Sequence, residues 1–219
     1  MKRSTVVLVL TVGGLTALSS VGVEAALTRP MPPLAYDDSF SVPEDTAAMV
    51  SFPGVLGNDR PRANGALSAI LVTNTAHGTL TLRANGALSY TPARDFTGID
   101  VFSYSASDGS RMSAPAIVAI TVVAVNDPPV AVDDRVTFTR IAPLKLSVVD
   151  NDFDVDGHIV PGTIGIVSSP QNGRVTIGSN GVIVYTPMKG FSGTDAFTYV
   201  VWDDQGARSN PAIVHLIKR

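Results

Sequence analysis

The 219-residue sequence contains no cysteine, which excludes disulfides, thiolate metal sites, cysteine nucleophiles and a lipid-modified N-terminal cysteine. Charged residues make up only 16% of the chain, and the formal net charge of -3 does not favour a nucleic-acid partner. Glutamate is scarce, since only Glu24 and Glu44 occur among 19 acidic residues. Aspartate favours turns whereas glutamate favours helices. Together with 19 Gly and 15 Pro, this composition predicts short strands joined by turns.

The N-terminal 25 residues have the pattern of a secretory signal peptide. Lys2 and Arg3 precede an apolar run from Thr5 to Val23, and the small residues that follow predict cleavage after Ala25. The alternative is an uncleaved anchor, although the run is borderline in length for a membrane span and contains glycines and serines. No later run is long and apolar enough to span a membrane, so we expect no membrane insertion after signal cleavage.

The rest of the chain is one unit that occurs twice, at an offset of 95 or 96 residues. The matching segments are Ala35-Tyr-Asp-Asp38 with Ala131-Val-Asp-Asp134, Tyr90-Thr-Pro92 with Tyr185-Thr-Pro187, Phe96–Tyr104 with Phe191–Tyr199, and Pro115-Ala-Ile-Val118 with Pro211-Ala-Ile-Val214. The predicted organisation is a signal peptide at 1–25, a linker at 26–35, a first repeat at 36–125, a linker at 126–130 and a second repeat at 131–219.

Each repeat has the pattern of an all-β domain. Residues alternate between apolar and polar along several short runs, such as Thr79–Leu82 and Val175–Ile177. Asn85-Gly86 and Asn180-Gly181 each separate two such runs, which predicts a hairpin with a type I′ turn at each position. The first repeat contains seven predicted strands, at about 38–42, 46–52, 66–73, 79–83, 87–91, 99–107 and 114–124. Seven short strands in about 100 residues are typical of a β-sandwich.

These motifs resemble bacterial tandem-95 repeats, a family of cadherin-like, Ig-like modules of surface and secreted proteins. The motifs that carry the resemblance are Pro43-Glu-Asp-Thr46, Gly54-Val-Leu-Gly-Asn-Asp59, His77-Gly-Thr-Leu80, Phe96–Tyr104 and Val125-Asn-Asp-Pro-Pro-Val130. The resemblance implies two tandem Ig-like or cadherin-like β-sandwich domains. It also implies extracellular calcium binding and an adhesive or spacer role.

The acidic residues favour a site for a hard divalent cation. Asp150, Asp152, Asp154 and Asp156 alternate within eight residues, and calcium prefers six to eight oxygen ligands from such loops. An EF-hand is excluded, because Thr163 would occupy the position of the bidentate carboxylate. The structural alternative is a solvated run of turn-forming aspartates.

An up-and-down arrangement of strands brings acids from both repeats and the linker to one junction. The predicted metal ligands are Glu44, Asp45, Asn126, Asp127, Asp133, Asp134, Asp150, Asp152, Asp154, Asp156, Asp203 and Asp204. At the unshared end of the first repeat, three arginines offset four aspartates, and Arg140-Ile141 of the second repeat replaces Glu44-Asp45. Acids therefore concentrate where the two repeats meet, which predicts one or two calcium ions there.

No motif indicates an enzyme. The three histidines have no zinc spacing, and neither a Gly-x-Ser-x-Gly elbow nor a phosphate loop occurs. We therefore expect a non-enzymatic, calcium-binding structural or adhesion module, secreted or at the cell surface, with the periplasm as an alternative. Its expected partners are other surface proteins or glycans. A second hypothesis is a glycan-binding or enzyme-accessory module in which Trp202 and Tyr199 stack on sugar, although both are more typical of a sandwich core.

Overall fold

The structure is a computed structural model that describes residues 31–62, 65–178 and 180–219. The predicted signal peptide and the first half of the predicted linker at 26–35 lie outside these residues. Within the described ranges, no helix combines the length and the hydropathy needed to cross a membrane.

The first repeat contains seven strands and a one-turn 3-10 helix at Gly54–Leu56. The strands are β1 (Asp38–Pro43), β2 (Ala48–Val50), β3 (Ser68–Thr73), β4 (Gly78–Leu82), β5 (Leu88–Pro92), β6 (Gly98–Ser107) and β7 (Ala116–Val123). All seven lie within three residues of their predicted bounds. The signal that placed them is the alternation of buried and exposed residues, which is clearest along β7.

The second repeat has the same elements in the same order, with a 3-10 helix at Pro161–Thr163. Its strands are β8 (Asp134–Phe138), β9 (Leu144–Leu146), β10 (Gly165–Ser168), β11 (Gly173–Ile177), β12 (Ile183–Pro187), β13 (Gly193–Val200) and β14 (Ala212–Lys218).

Each repeat is built from a four-stranded and a three-stranded sheet. In the first repeat the orders are β1-β7-β6-β3 and β2-β5-β4, and in the second they are β8-β14-β13-β10 and β9-β12-β11. The first and last strands of each repeat pair in parallel, and all other pairs are antiparallel. Successive strands that pair with each other, such as β4 with β5 and β6 with β7, therefore run in opposite directions. The fold class predicted from the sequence, all-β with two tandem sandwiches, is confirmed.

Each repeat has its own hydrophobic core. The core of the first repeat includes Tyr90, Phe102 and Tyr104, and that of the second includes Tyr185, Phe197 and Tyr199, the equivalent residues. All six are almost completely buried. Aromatic residues are few in this chain, and these six lie in the cores of the two sandwiches.

A buried carboxylate stabilises one loop of each core. Asp100 accepts hydrogen bonds from the backbone N–H groups of Ala76, His77 and Val101 and from the hydroxyl of Tyr90, all at 2.9–3.0 Å. In the second repeat, Asp195 accepts bonds from Gln171, Asn172, Ala196 and the hydroxyl of Tyr185 at 2.8–3.0 Å. These two aspartates are therefore structural, and their position inside a strand could not be attributed to a turn.

Both Asn-Gly hairpins form where they were predicted, but not with the predicted turn. Gly86 N–H donates to the carbonyl of Arg83 at 2.9 Å, and Gly86 alone has the positive φ, of 87°. A type I′ turn would need positive φ at Asn85 too. The connection is instead a type I turn followed by a left-handed glycine. In the second copy Gly181 has the same positive φ, of 78°, and its N–H donates to the carbonyl of Gly178 at 3.0 Å. The prediction of a type I′ turn is wrong because the loop is longer than two residues.

A second acidic group lies at the N-terminal end of the first repeat. The hydroxyl of Tyr104 lies 3.0 Å from both carboxylate oxygens of Asp59 and 3.4 Å from Asp38. Burial, and then the neighbouring Asp59 carboxylate, raise the pKa of Asp38 to about 6. Asp134, next to Asp152 and Tyr199 in the second repeat, has a pKa raised to about 6 for the same reasons.

The raised pKa of Asp38 predicts a change of stability with pH. The folded state binds the proton near pH 6 and the unfolded state near pH 4, so the free energy of unfolding falls as the pH rises between these values. Asp38→Asn is expected to stabilise the first repeat at pH 7.5 by about 1 kcal/mol, after allowance for solvent screening. Thermal melts at pH 7.5 and pH 4 test this, and the gain should vanish at pH 4. An equal gain at both pH values would contradict it.

Candidate metal centre

The end of the first strand carries two acidic residues that meet a third from the linker. Glu44 and Asp45 directly follow β1. One carboxylate oxygen from each of Glu44, Asp45 and Asp127 lies within 4.8 Å of the other two. Glu44 is buried, and one of its oxygens accepts a hydrogen bond from the Val125 amide at 2.8 Å. The first repeat and the linker thus hold three negatively charged groups close together.

Asp127 connects this group to the second repeat. Its backbone N–H lies 3.3 Å from both carboxylate oxygens of Asp156. Burial, followed by the carboxylates of Asp45, Asp156, Asp95 and Glu44, raises the pKa of Asp127. Carboxylates have this effect on one another when no positive charge lies between them. A bound divalent cation has the opposite effect, because it stabilises the ionised form.

Asn126 anchors the linker to the loop between β13 and β14. Its side-chain N–H donates to Asp203 at 2.7 Å. The other oxygen of Asp203 accepts bonds from the backbone N–H groups of Gln205 at 2.9 Å and Ala207 at 2.7 Å. Burial favours the neutral acid, but these hydrogen bonds, that from Asn126 foremost, outweigh it and lower the pKa of Asp203.

Two further carboxylates lie near Gly157 in the acidic loop of the second repeat, that of Asp154 from the same loop and that of Asp204 from the loop after β13. Asp154 Oδ1 accepts bonds from the backbone N–H groups of Asp156 and Gly157 at 3.3 and 3.1 Å. Asp204 accepts the backbone N–H of His158 at 3.2 Å, and its second oxygen lies 3.3 Å from His158 Nδ1. A Cβ on Gly157 would lie 3.0 Å from Asp204 Oδ1 and 3.3 Å from Asp154 Oδ2, so both carboxylates border the same position.

Three oxygen atoms in these segments are buried without a hydrogen-bond donor. They are Oδ1 of Asn126, Oδ2 of Asp127 and Oδ2 of Asp154. A buried polar atom without a partner costs about 1–3 kcal/mol, and more if it is charged. Carboxylate and amide oxygens, without nitrogen or sulfur ligands, are the donor set that calcium prefers. The residues present therefore fit a calcium ion.

Two of four further predicted ligands are hydrogen-bonded within the second repeat, and the charges of the other two lie near them, although Oδ2 of Asp134 is also buried without a donor. The four are Asp133, Asp134, Asp150 and Asp152. Asp133 accepts the backbone N–H of Ile213, and Asp152 that of Val132, each at 2.8 Å. The carboxylates of Asp152, Asp133 and Asp150 contribute to the raised pKa of Asp134. The structure therefore gives Asp133 and Asp152 a role in holding the start of the second repeat together.

The same arrangement occurs in the first repeat. Asp37 accepts the backbone N–H of Ile117 at 2.7 Å, and Asp59 accepts that of Tyr36 at 2.9 Å. The second repeat therefore exceeds the first in negative charge at the acidic positions whose counterparts in the first repeat are uncharged. These are Asp150, Asp154, Asp156 and Asp204.

Asp95 is a junction residue that the sequence reasoning missed. Its backbone N–H donates to Asp45 Oδ1 at 3.1 Å, and both residues have a left-handed backbone, with φ of 55° and 52°. Gly190 stands at the equivalent position of the second repeat, with φ of 80°. The signal was present in the sequence, because the first repeat has an aspartate where the second repeat has the turn glycine. The second repeat has Arg140 and Ile141 in place of Glu44 and Asp45.

Trp202 does not present a free face. It is half-buried, the Arg208 guanidinium lies 5.9 Å from the centre of its ring, and a Cβ on Gly165 would lie 3.2 Å from the ring. Tyr199 is completely buried. The expectation that these residues are more typical of a core than of a sugar-binding surface agrees with this packing.

Comparison with solved structures finds the same fold at low sequence identity. Human protocadherin-24 EC1-2 is 18% identical, with a TM-score of 0.50 over 86% of this chain and 99% of that one. Human mucin-like protocadherin EC1-2 is 14% identical, with a TM-score of 0.42 over 85% and 98%. An endo-fucoidan hydrolase of glycoside hydrolase family 107 is 16% identical, with a TM-score of 0.37, and this chain spans only 29% of its length. No curated protein matches the sequence.

The family comparison agrees with the repeats found in the sequence. The sequence model of the bacterial Ig domain matches twice, at residues 30–121 and 126–215. The two matches cover most of the chain and correspond to the two sandwiches, which confirms the resemblance drawn from the repeated motifs. The chain belongs to the bacterial Ig domain family and carries two such domains in tandem.

Proposed function

We propose that this chain is a secreted or cell-surface structural or adhesion module, without catalytic activity, whose two sandwiches are stiffened by calcium at their junction. Two tandem Ig-like domains fit a spacer or adhesive role. The proposal of calcium rests on one observation above all. The linker residues Asn126 and Asp127 and the loop residue Asp154 each keep a buried oxygen without a donor.

The charges in the described part of the junction support this interpretation. Glu44, Asp45 and Asp127 lie within 4.8 Å of one another, while Asp156 approaches from the second repeat. Mutual repulsion among carboxylates destabilises this arrangement unless a cation offsets it. A calcium ion with ligands from the first repeat, the linker and the second repeat would hold all three in fixed relation.

The physical consequence is a stiff connection between the repeats. The linker already contains Pro128 and Pro129, which fix two backbone angles. Asn126 is bonded to Asp203, and Asp127 to Asp156, so the linker contacts the second repeat on its own. Binding of an ion adds the loop after β1 to these contacts. Without the ion, hydrogen bonds within the first repeat hold Glu44 and Asp45, and the charge of Asp127 repels them.

Calorimetric titration of the purified protein with calcium tests the proposal. We expect saturable binding that Asp154→Asn and Asp156→Asn each weaken about tenfold, because affinity depends on the number of charged ligands. Asp150→Asn is the matched control. It removes the same charge from the same loop, but Asp150 neighbours Asp134 rather than the linker, so its effect should stay within about twofold.

Two outcomes would contradict the proposal. One is an absence of binding heat and of any calcium-induced change in the melt. The other is an equal loss of affinity for all three variants, which would indicate diffuse attraction of cations to an acidic loop rather than a defined set of ligands.

The alternative, a glycan-binding or enzyme-accessory module, has no specific observation in its favour. The Arg208 guanidinium lies over one face of the Trp202 ring, 5.9 Å from its centre, and Tyr199 is buried. Glycan-array binding measured with calcium and with chelator distinguishes the two hypotheses. Binding that is lost in Trp202→Ala, while the fold is kept, would favour the glycan-binding module.

A further inference from the structure

The outward face of the four-stranded sheet in the first repeat is apolar and carries no charge. Its exposed hydrophobic side chains are Ile70, Ile99, Val101, Ile117 and Val123, which are 41–65% exposed. The other outward positions on these four fully described strands are uncharged and include Ser39, Ser41, Pro43, Thr73, Ser103, Ala119 and Thr121, together with Ser105, which is buried.

The strand register makes these residues one continuous surface. Val101 lies opposite Ala119, and Ile99 lies opposite Thr121. Ala119 in turn lies beside Ser39. One row across β1, β7 and β6 therefore consists of a serine, an alanine and a valine. The two charged residues of these strands, Asp38 and Asp100, alternate with the outward residues and so lie on the inward side of the sheet.

The equivalent face of the second repeat carries charged residues. The equivalent row is Arg135, His215 and Ala196. Thr194 replaces Ile99, and Arg219 is the sequence counterpart of Val123. The two repeats share their fold and their inward-facing residues, so folding does not require the apolar outward face. Contiguous apolar surface that folding does not require is typical of an interaction site.

We propose that this face of the first repeat binds the same face of a second copy of the chain, which forms a two-fold symmetric dimer. In such a dimer, residues near the axis meet their own copies. Serine, alanine, valine and isoleucine pack against themselves without repulsion, whereas a face with Arg135 and His215 would repel its copy. A charged partner would lose its hydration on this face without gaining an opposite charge.

The size of the face fits a weak dimer. Four strands about 4.8 Å apart and six to ten residues long, at about 3.3 Å per residue, give roughly 500 Å² per copy and about 1,000 Å² in total. That is at the lower limit of specific interfaces. We therefore expect a reversible monomer–dimer equilibrium in the range of about 10–100 µM.

Sedimentation velocity of the purified protein over a range of concentrations, in calcium and in chelator, tests the proposal. The wild type should dimerise in both conditions, because the face is separate from the junction. Val101→Lys should weaken dimerisation at least about tenfold, since it places two like charges near the axis. Ala196→Lys, at the equivalent position of the second repeat, is the matched control and should leave it unchanged.

A second variant guards against misfolding. Ser39→Arg with Ala119→His introduces the residues that the second repeat carries at these positions, where the same fold accommodates them. It should melt like the wild type and remain monomeric. A wild type that stays monomeric up to about 500 µM, well above the expected dissociation constant, would overturn the proposal. A dimer that Ala196→Lys disrupts and Val101→Lys does not would overturn it too.

Discussion

Asp100→Ala is expected to lower the free energy of unfolding of the first repeat by about 3–5 kcal/mol. The substitution removes the acceptor of four hydrogen bonds, from Ala76, His77, Val101 and Tyr90, and leaves donors unpaired in a site that is almost completely buried. Removing the partner of a buried, hydrogen-bonded charge has costs of this size. Total stabilities of domains are about 5–15 kcal/mol, so the first repeat should be only marginally folded.

The repeated architecture supplies the controls for this experiment. Asp195→Ala removes the equivalent acceptor in the second repeat and should destabilise that repeat by a similar amount. Asp100→Asn keeps one oxygen acceptor and should cost less. Chemical denaturation monitored separately for each repeat, for example through Trp202 for the second, measures the effects. A loss below about 1 kcal/mol for Asp100→Ala would show that water replaces the carboxylate at little cost.

The contribution of Asp100 also depends on pH. Burial favours the neutral acid, but the hydrogen bonds from Ala76, His77, Tyr90 and Val101 outweigh it and hold the pKa below its ordinary value. A depressed pKa in the folded state stabilises the protein above the pKa of the unfolded state. The difference between wild type and Asp100→Ala should therefore be largest near neutral pH and shrink as the pH falls below about 4.

Calcium is expected to raise the thermal stability of the whole chain. At a calcium concentration of about 100 times its dissociation constant, one bound ion adds about 2.7 kcal/mol to the folded state. For a chain of this size that corresponds to roughly 5–10 °C in the melting temperature. The effect should be large in this protein because the buried oxygens of Asn126, Asp127 and Asp154 have no donor of their own.

Two variants of equal charge make the calcium experiment specific. Asp127→Asn removes a carboxylate that lies within 4.8 Å of Glu44 and Asp45, and it should abolish most of the calcium-induced rise. Asp108→Asn removes a carboxylate from the loop between β6 and β7 of the first repeat, where it accepts backbone hydrogen bonds from Ser110 and Arg111. This variant should keep the calcium-induced rise in melting temperature. Coincident melting curves in calcium and in chelator would refute the calcium proposal.

Melting of Asp127→Asn in the presence of chelator gives a further test, because the variant and the wild type should change order between chelator and calcium. In the absence of the ion, burial and then the neighbouring carboxylates raise the pKa of Asp127, so its charge destabilises the junction. The neutral asparagine should therefore melt at or above the wild type in chelator and below it in calcium. This crossing distinguishes the loss of a ligand from general damage to the fold.

The fold was largely readable from local sequence. The period-two alternation of β7 and the repeated Phe96–Tyr104 motif identified strands whose bounds differ by few residues from those observed. This alternation arises because one face of each sheet is buried and the other is exposed. Since the motif occurs twice in the chain, each strand assignment could be checked against a second occurrence. The turn at Asn85-Gly86 was misjudged because two turn types share that dipeptide and differ only in how the strands register around it.

The site was readable only in part. Sequence placed acids near the junction, but it could not separate Asp133 and Asp152, which accept backbone hydrogen bonds within the second repeat, from Asp154 and Asp156. Hydrogen-bond donors for a carboxylate come from segments distant in sequence, such as Ile213 for Asp133. Which acids are already satisfied is therefore decided by the tertiary fold.

The sequence by itself determined that this chain is two copies of one all-β domain. It also showed that acidic residues concentrate in three places, namely after the first strand of the first repeat, in the linker, and in the loops at 150–156 and 203–204 of the second repeat. Both follow from local periodicity and composition, which require no knowledge of distant contacts. Only the tertiary structure decided that Asp95 joins Asp45 and Asp127, that three oxygens there lack a donor, and that one sheet of the first repeat presents an uncharged face. These features depend on strand pairing and on which atoms meet across the junction, because a residue's neighbours in space are set by the whole fold.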